Sequence, residues 1–295
     1  MTQAARAHLD QPLLDLDGIN LAGATRVTYV LRQRFRYEYE GRAHSLRHRL
    51  VVIPRTRRGS LRLRFQQVEV SATDAQVATR RDSHGNLVTT VRLDVVPETV
   101  EFRVAAVSER TLSEGRPMLA AALEDRRLLG ATTLTTADEA LRELAGELRV
   151  AAPGDLDFAQ LCSERVKAAI AYEFGVTSTS TTAAEAYAGG RGVCQDHAHV
   201  MLALCRSVGI PARYVSGHLL GDGGTHAWVE VVVPHGHLAR AVAFDPCNGG
   251  RAGVHHFTVA TGRDYRDVAP TSGTYSGDAR GRLTATKHVG ITAAA

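Results

Sequence analysis

Polar and apolar residues alternate through the first third of the chain. In residues 31–40 every second side chain is charged, and residues 61–65 repeat the pattern. Side chains of a β-strand point alternately to its two faces, so the leucines and aromatic residues are expected inside and the arginines outside. Similar runs follow at 44–53, 86–95 and 99–107. Together they predict an antiparallel β-sandwich domain over residues 26–110, preceded by an N-terminal extension of residues 1–25.

From about residue 115 the hydrophobic period becomes that of helices. Helices are predicted at 118–123, 138–148, 157–172 and 194–208. Gly209 and Pro211 end the last of them, because glycine favours a helix C terminus and proline cannot continue a helix. Strands are predicted at 212–220, 226–233 and 240–244, and residues 254–290 are expected to extend the β layer. A helix followed by antiparallel strands predicts an α+β core, which we assign to residues 111–295.

The composition fits a soluble globular protein. Of 295 residues, 44% are hydrophobic and 22% charged, and no window approaches the roughly 18 consecutive apolar residues of a membrane-spanning helix. Asp10, Asp15 and Asp17 interrupt the stretch in which a signal peptide would be apolar throughout. We therefore expect a cytoplasmic protein that does not bind a membrane. The sequence carries no signal for its oligomeric state.

Basic residues concentrate in the predicted β-domain. The chain has 35 Lys and Arg residues against 31 Asp and Glu residues, and residues 26–70 hold 12 arginines against three glutamates. The strand period predicts that these arginines form a solvated outer sheet face, with docking of an acidic partner as the alternative. Nucleic-acid binding is not expected, because the basic residues are not interleaved with exposed aromatic residues on which bases could stack.

Three short segments of the predicted core carry a cysteine, a histidine and an aspartate. GRGVCQD places Cys194 at the beginning of a helix, GTHAWVE places His226 at the beginning of a strand, and AFDP places Asp245 at the end of the next strand. A thiol attacks a carbonyl carbon as the thiolate, which a helix N terminus and a neighbouring imidazole both favour. A carboxylate behind the imidazole orients it, and N–H groups at the helix start can bind an oxyanion. The segments thus supply a nucleophile, a base and an orienting group.

In this order and context the three segments resemble the transglutaminase-like superfamily. GRGVCQDHAHVMLALCRSVGIPARYVSGHL is similar to its nucleophile block, GGTHAWVEVVVP to its histidine block and AFDPCNG to its aspartate block. GRDYRDVAPTSGTYSG and the N-terminal β-domain resemble the bacterial subgroup. The resemblance implies a papain-like core with catalytic roles for Cys194, His226 and Asp245. Two positions depart from the family pattern: His197 stands where an aromatic residue is usual, and Cys247 where threonine is usual.

The resemblance implies a cysteine-dependent acyl-transfer enzyme that acts on amide or peptide bonds through a Cys194 thioester. We expect hydrolysis by a protease or amidase, with a peptide or protein amide as substrate. The first alternative is amide-bond formation, in which an amine accepts the acyl group. The second is a non-enzymatic binding module that keeps the fold as a scaffold.

Four further side chains are candidates for the lining of the site. Gln195 lies in the first helical turn, and Arg191 either meets an acidic substrate or is simply solvated. Trp228 either shields His226 from water or only fills the core. Cys247 shares a strand face with Asp245 and could approach Cys194, although a small buried apolar role is the simpler interpretation.

No cofactor or metal is expected. His197 and His199 lie two residues apart, about 200° around a helix, whereas a metal-binding pair is four residues apart. A metal on Cys194 would also consume the nucleophile. The four cysteines, Cys162, Cys194, Cys205 and Cys247, form no CxxC pair, so neither a zinc knuckle nor a disulfide framework is indicated.

Overall fold

Strands dominate the computed structural model, which describes residues 3–15, 21, 24–112 and 115–295. Asp17 and part of the predicted extension 1–25 lie outside the described residues. The described strands are β1 (Arg26–Glu40), β2 (Ala43–Ile53), β3 (Arg57–Arg58), β4 (Leu61–Val70), β5 (Gln76–Arg81), β6 (Leu87–Val96), β7 (Thr99–Thr111), β8 (Arg116–Met118), β9 (Ala171–Tyr172), β10 (Arg191–Gly192), β11 (Ala212–Leu219), β12 (Gly221–Asp222), β13 (His226–His235), β14 (Leu238–Asp245), β15 (Gly250–Arg251), β16 (His256–Gly262), β17 (Thr271–Gly277) and β18 (Arg280–Ala294).

Helices occupy mainly the middle of the chain. They are α1 (Gln3–Ala7), α2 (Arg126–Leu129), α3 (Glu139–Ala151), α4 (Asp155–Ala169), α5 (Ala183–Gly189), α6 (Cys194–Ser207) and α7 (Tyr265–Val268), with 3-10 helices at Ala120–Glu124 and Thr133–Thr135. None of the helices in the described ranges has both the length and the apolar character needed to cross a membrane.

The predicted β-sandwich is confirmed. One sheet has the strand order β12-β18-β1-β7-β4-β3 and the other β17-β2-β6-β5. Alternation along β1 buries Phe35 between the exposed Arg34 and the half-buried Arg36. The sheets meet where His48 of β2 stacks on Phe102 of β7 with ring centroids 4.8 Å apart. Apolar side chains fill the space between the two sheets, as the strand period requires.

The last two long strands return to this sandwich. β18 pairs antiparallel with β1 from Val27 opposite Ala294 to Glu40 opposite Arg280, and β17 pairs with β2. Residues 271–294 were predicted within the catalytic domain 111–295, but their strand partners belong to the predicted domain 26–110. Pairing between strands that are more than 200 residues apart leaves no local signal in the sequence. The boundary between residues 110 and 111 stays a prediction.

The predicted α+β core is also confirmed. Its sheet has the order β15-β14-β13-β11-β16, and the predicted strands 212–220, 226–233 and 240–244 correspond to β11, β13 and β14. Helix α6 packs on β11 and β13 and is flanked by α3, α4 and α5. Its residues from Gln195 to Arg206 are all buried. A central helix with no solvated face is thereby held firmly against the sheet.

Two helix predictions differ from the structure. Residues 118–123, predicted as a helix, form the end of β8 and a 3-10 helix, because β8 pairs with β14 instead. The predicted helix 157–172 ends at Ala169, and Ala171–Tyr172 form β9. β9 pairs in parallel with β10, placing Tyr172 opposite Gly192, so tertiary pairing overrides the helical period here.

Candidate active site

Cys194 is the first residue of α6, and its position is fixed by the turn before it. The Asp196 carboxylate accepts hydrogen bonds from the Val193 N–H (2.8 Å) and the Thr177 hydroxyl (2.7 Å). It therefore points back to the helix start. A Cβ atom on Gly192 would lie 2.6 Å from that carboxylate, so only glycine fits there. The glycine-rich approach seen in the sequence thus lets Asp196 close the start of the helix.

The Cys194 thiol lies at the partly exposed mouth of the site. Its Sγ is 4.0 Å from the Thr225 carbonyl oxygen, in the residue just before His226. The backbone N–H groups of Cys194 and Gln195 belong to the first helical turn, which provides them with no carbonyl inside the helix. Such N–H groups can receive an oxyanion formed next to the thiol.

His226 and Asp245 come together because β13 and β14 are antiparallel neighbours. His226 begins β13 and Asp245 ends β14, so both side chains reach the same edge of the sheet. His226 Nε2 is 2.8 Å from Asp245 Oδ2, and Cys194 lies close enough to the ring to raise the pKa of His226. Because Nε2 faces Asp245, Nδ1 is the nitrogen that remains to exchange a proton with the thiol.

His226 is set up to hold a proton. Burial alone would lower its pKa, but the hydrogen bonds to Asp245 and Cys194 and the negative charges of both groups outweigh burial and raise the pKa from 6.5 to about 9. The ring is therefore an imidazolium at neutral pH. An imidazolium favours the thiolate form of a neighbouring cysteine, and the thiolate is the form that nucleophilic cysteine chemistry requires.

Asp245 accepts an unusual number of hydrogen bonds. Oδ1 accepts from the backbone N–H groups of Cys247 (3.0 Å) and Asn248 (3.2 Å), and Oδ2 accepts from the Asn248 side chain (2.7 Å) and His226. His256 Nε2 lies 2.9 Å from the same Oδ2. Burial would raise the pKa of Asp245, but these donors hold it far below its usual range. The carboxylate is thus kept ionised behind His226.

The structure brings most of the predicted lining residues to the site. Trp228 is fully buried, and its ring stacks near His226 with centroids 6.1 Å apart. Burial and then the negative charge of Cys194 raise the pKa of Cys247 to about 12, so Cys247 lies near the nucleophile. Gln195 donates to the Ser178 carbonyl oxygen at 3.3 Å. Arg191 is exposed and pairs with Glu173 at 3.4 Å, as a solvated side chain would.

The unusual His197 has a structural position behind the site. It is buried, with Nδ1 2.9 Å from the Val193 carbonyl oxygen and Nε2 3.0 Å from that of Ile170. It thereby ties the start of α6 to the end of α4. The aromatic residue expected there is replaced by a ring that hydrogen-bonds to backbone.

Sequence reasoning missed two residues that contact Asp245. Asn248 follows the aspartate within the segment DPCNG, which is a usable local signal because asparagine often bonds within a turn. His256 begins β16, eleven residues after Asp245, and no local pattern marks its contact. The doublet HH at 255–256 shows only that one of the two rings faces inward.

The same cluster offers three atoms that could bind a metal ion. One nitrogen or oxygen atom from each of His226, Asp245 and His256 lies within 4.8 Å of the other two. The hydrogen bonds of His256 disfavour that interpretation. The Gly253 N–H donates to His256 Nδ1 at 3.1 Å, so the ring proton lies on Nε2. A neutral histidine cannot bind a metal through a nitrogen that carries its proton.

A thiol at a helix start, facing an imidazole–carboxylate pair on an antiparallel sheet, defines the papain-like class of cysteine-dependent sites. The model of the transglutaminase-like superfamily matches residues 142–246, and that of the bacterial transglutaminase-like N-terminal region matches residues 29–109. The chain therefore contains a transglutaminase-like core, preceded by a bacterial transglutaminase-like N-terminal region.

Two curated relatives share part of this chain. An uncharacterized protein of Mycobacterium leprae is 39% identical over 113 residues, which are 35% of this chain and 39% of that protein. An uncharacterized protein of Mycobacterium bovis is 34% identical over 124 residues, which are 38% of this chain and 39% of that protein. The chain thus covers about two fifths of the length of the curated relatives that it matches.

A solved structure extends the similarity across the whole fold. The crystal structure of a candidate cysteine protease from Cytophaga hutchinsonii superposes with a TM-score of 0.74 and 18% sequence identity, covering 90% of this chain and 91% of that one. At this identity the match shows a shared fold, including the β-sandwich before the core.

Proposed function

We propose that the protein is a cysteine-dependent acyl-transfer enzyme acting on amide or peptide bonds. One observation carries the proposal: Cys194, at the start of α6, lies beside the His226 ring, whose Nε2 is 2.8 Å from Asp245 Oδ2. The match of residues 142–246 to the transglutaminase-like model supports cysteine-dependent chemistry at the level of the class.

The reaction begins when the Cys194 thiolate attacks the substrate carbonyl carbon. The tetrahedral oxyanion accepts hydrogen bonds from the first-turn N–H groups of α6. As the C–N bond breaks, the His226 imidazolium gives its proton to the leaving amine or ammonia, and a thioester remains on Cys194. The neutral ring then takes a proton from the incoming water or amine, which attacks the thioester. The carboxylic acid or new amide departs, and the thiolate is restored.

Water is the acyl acceptor that we favour. Cys194 lies at a partly exposed mouth, and Tyr172, opposite Gly192 in the β9–β10 pair, is 57% exposed. An open site gives water free access to the thioester, whereas preference for an amine needs a pocket that excludes water. The alternative of amide-bond formation therefore becomes the second outcome of the test.

The test compares Cys194→Ala with Cys247→Ala on a panel of glutamine-containing peptides. Release of ammonia and of peptide fragments is followed by mass spectrometry, with and without a primary amine. We expect Cys194→Ala to abolish turnover and Cys247→Ala to retain it within about threefold, because only Cys194 forms the acyl intermediate.

The products separate the remaining possibilities. Ammonia or fragments without amine adducts support hydrolysis. Products that contain the added amine would instead show that the acyl group is transferred to an amine. If Cys194→Ala and the unchanged protein bind the peptides equally and neither turns them over, the binding-module alternative is favoured and the enzyme proposal is wrong.

A further inference from the structure

We propose that His256 is a positioning residue through which the β-sandwich holds the Asp245 carboxylate against His226. The inference rests on the proposed function, since positioning matters only if the His226–Asp245 pair works in catalysis. Its ring bonds to Asp245 through Nε2, and through that carboxylate it acts on His226.

Hydrogen bonds determine which nitrogen of His256 carries the proton. Gly253 donates its backbone N–H to Nδ1 at 3.1 Å, and the His256 backbone N–H donates in return to the Gly253 carbonyl oxygen at 3.1 Å. Nδ1 is therefore an acceptor, and the proton lies on Nε2. Nε2 then donates to Asp245 Oδ2 at 2.9 Å. The ring works as a fixed N–H donor aimed at the carboxylate.

Packing prevents the His256 ring from turning away. Its side chain is only 12% exposed. The Trp228 ring meets it edge-on, with centroids 5.2 Å apart and an interplanar angle of 79°. Because Trp228 also stacks near His226, one indole supports both rings that donate to Asp245.

The β-sandwich holds the turn that carries His256. Tyr29 of β1 donates its hydroxyl to the Val254 carbonyl oxygen at 2.8 Å. Arg110 of β7 donates to the carbonyl oxygens of Gly253 (3.1 Å) and His256 (3.3 Å). Three hydrogen bonds from the sandwich thus fix the residues from which His256 reaches the active site.

Three donors share Asp245 Oδ2, namely His226, His256 and the Asn248 side chain. Together these donors restrict the carboxylate to one orientation, in which Oδ2 faces His226 Nε2. Each donor also withdraws negative charge from the oxygen. Loss of the His256 donor therefore loosens the carboxylate and leaves more charge for the imidazolium, which raises the pKa of His226 further.

Titratable groups from several elements surround His226. They are Cys194 on α6, Asp245 on β14, His256 on β16 and His218 on β11, with Cys247 and Tyr172 near the thiol. Burial, then the positive charge of Lys287, lower the pKa of His218 to about 3, so this ring stays neutral through the range tested. Changes at His256 can therefore be assigned to the His226–Asp245 pair.

The test compares His256→Leu, which keeps bulk but removes the donor, with His256→Gln, whose amide N–H restores a donor at similar reach. We expect His256→Leu to lower kcat on the order of tenfold with KM within about twofold, and to move the alkaline limb of the pH–rate profile to higher pH. His256→Gln should recover most of kcat. Tyr29→Phe, which removes one sandwich hydrogen bond, should lower kcat by a smaller factor.

Failure of this inference is distinguishable from failure of the proposed function. If Cys194→Ala abolishes turnover while His256→Leu keeps both kcat and the pH profile, His256 does not position the pair. A lower kcat with an unmoved alkaline limb and no recovery by His256→Gln would show a merely structural role and overturn it as well. If His256→Leu does not fold, the ¹⁵N–¹H spectrum of the unchanged protein decides: a proton on His256 Nδ1 contradicts the proposed donor.

Discussion

At the scale of single residues, the charge state of His226 determines what the site can do. Its raised pKa, about 9, means that the ring already carries the proton that a leaving amine needs. Asp245 is the principal cause of this rise, since its hydrogen bond and its charge both favour the protonated ring. In the proposed reaction, the acid of the first step is thus present before substrate arrives.

A pH profile tests this assignment. Turnover should fall as pH rises through about 9, because His226 then loses the proton that the leaving group takes. In Asp245→Asn the fall should move to lower pH and kcat should drop by at least about a hundredfold, since the negative charge that holds the proton is gone. Asp222→Asn, at an exposed carboxylate that lies 2.7 Å from His288, is the control. An unmoved limb in Asp245→Asn would contradict the assignment.

Thiol labelling gives a second test that needs no substrate. At pH 7, iodoacetamide should modify Cys194 at least about tenfold faster than Cys247, because Cys194 adjoins the imidazolium whereas burial raises the pKa of Cys247 to about 12. Burial also raises the pKa of Cys162, which is inaccessible. Peptide mass spectrometry after timed quenching measures the rates. Equal rates at Cys194 and Cys247 would refute nucleophile activation.

The candidate site residues Cys194, His226 and Asp245 could be predicted together from sequence because each stands in a local block. Cys194 follows a glycine-rich turn, and His226 and Asp245 lie at ends of strongly patterned strands. His256 was not recoverable, because its role depends on the Gly253 N–H and on where β16 lies beside β11. A contact made across strands has no period along the chain.

At the scale of elements, local signals determined which parts of the fold could be predicted. The helical period and the Gly209–Pro211 stop locate α6 to within one residue of its end. Helix α5 has a Thr182–Glu185 capping box but only seven residues rich in alanine, so its period is weak. β9 lies beyond prediction for a different reason, since its strand state comes from pairing with β10.

Exposed aromatic residues in and after β9 form a surface on which we expect substrate to bind. Tyr172 is followed by the 85% exposed Phe174, and β9 runs beside the β10 residues that lead into Cys194. Exposed apolar side chains beside a candidate active site mark a surface on which a substrate could bind. For substrates with apolar side chains we expect Phe174→Ser to raise KM about tenfold, equal to about 1.4 kcal/mol of lost burial, with kcat little changed. Leu119→Ser, at a 76% exposed residue directly before the 3-10 helix Ala120–Glu124, should leave KM unchanged. Equal effects of both would argue against this surface.

At the scale of the whole molecule, the sandwich and the core are joined by a buried ion pair. Arg58 of β3 lies 2.5 Å from Glu230 of β13, and Arg213 bonds to the other carboxylate oxygen at 2.8 Å. Arginines of the sandwich were predicted to face solvent, and Arg34 does so, but Arg58 is turned inward against the core. The arginine-rich region therefore contributes to the joint with the core as well as to an outer face.

Acid should weaken this joint in a defined pH range. Burial would raise the pKa of Glu230, but Arg213 and Arg58 outweigh it and lower the pKa from 4.5 to about 2. A carboxyl group with a lowered pKa stabilises the fold above its unfolded value, and that stability is lost as pH falls from about 4.5 towards 2. Arg58→Met should lower the free energy of unfolding by about 3 kcal/mol at pH 7, because Glu230 stays buried with one partner fewer.

The Arg58→Met difference should also shrink as pH falls, since protonated Glu230 no longer needs the missing charge. Urea unfolding at pH 7 and at pH 3, which lies inside the range over which Glu230 loses its stabilising effect, measures both effects. Arg64→Met, which removes the partly exposed pair with Glu109, should cost less than about 1 kcal/mol and serves as the matched control. Arg58→Met should impair turnover only to the extent that it unfolds the protein. Tyr29→Phe should impair turnover without unfolding the protein, because Tyr29 bonds to the turn that carries His256. Equal, pH-independent losses in Arg58→Met and Arg64→Met would show that the buried pair does not join the two parts.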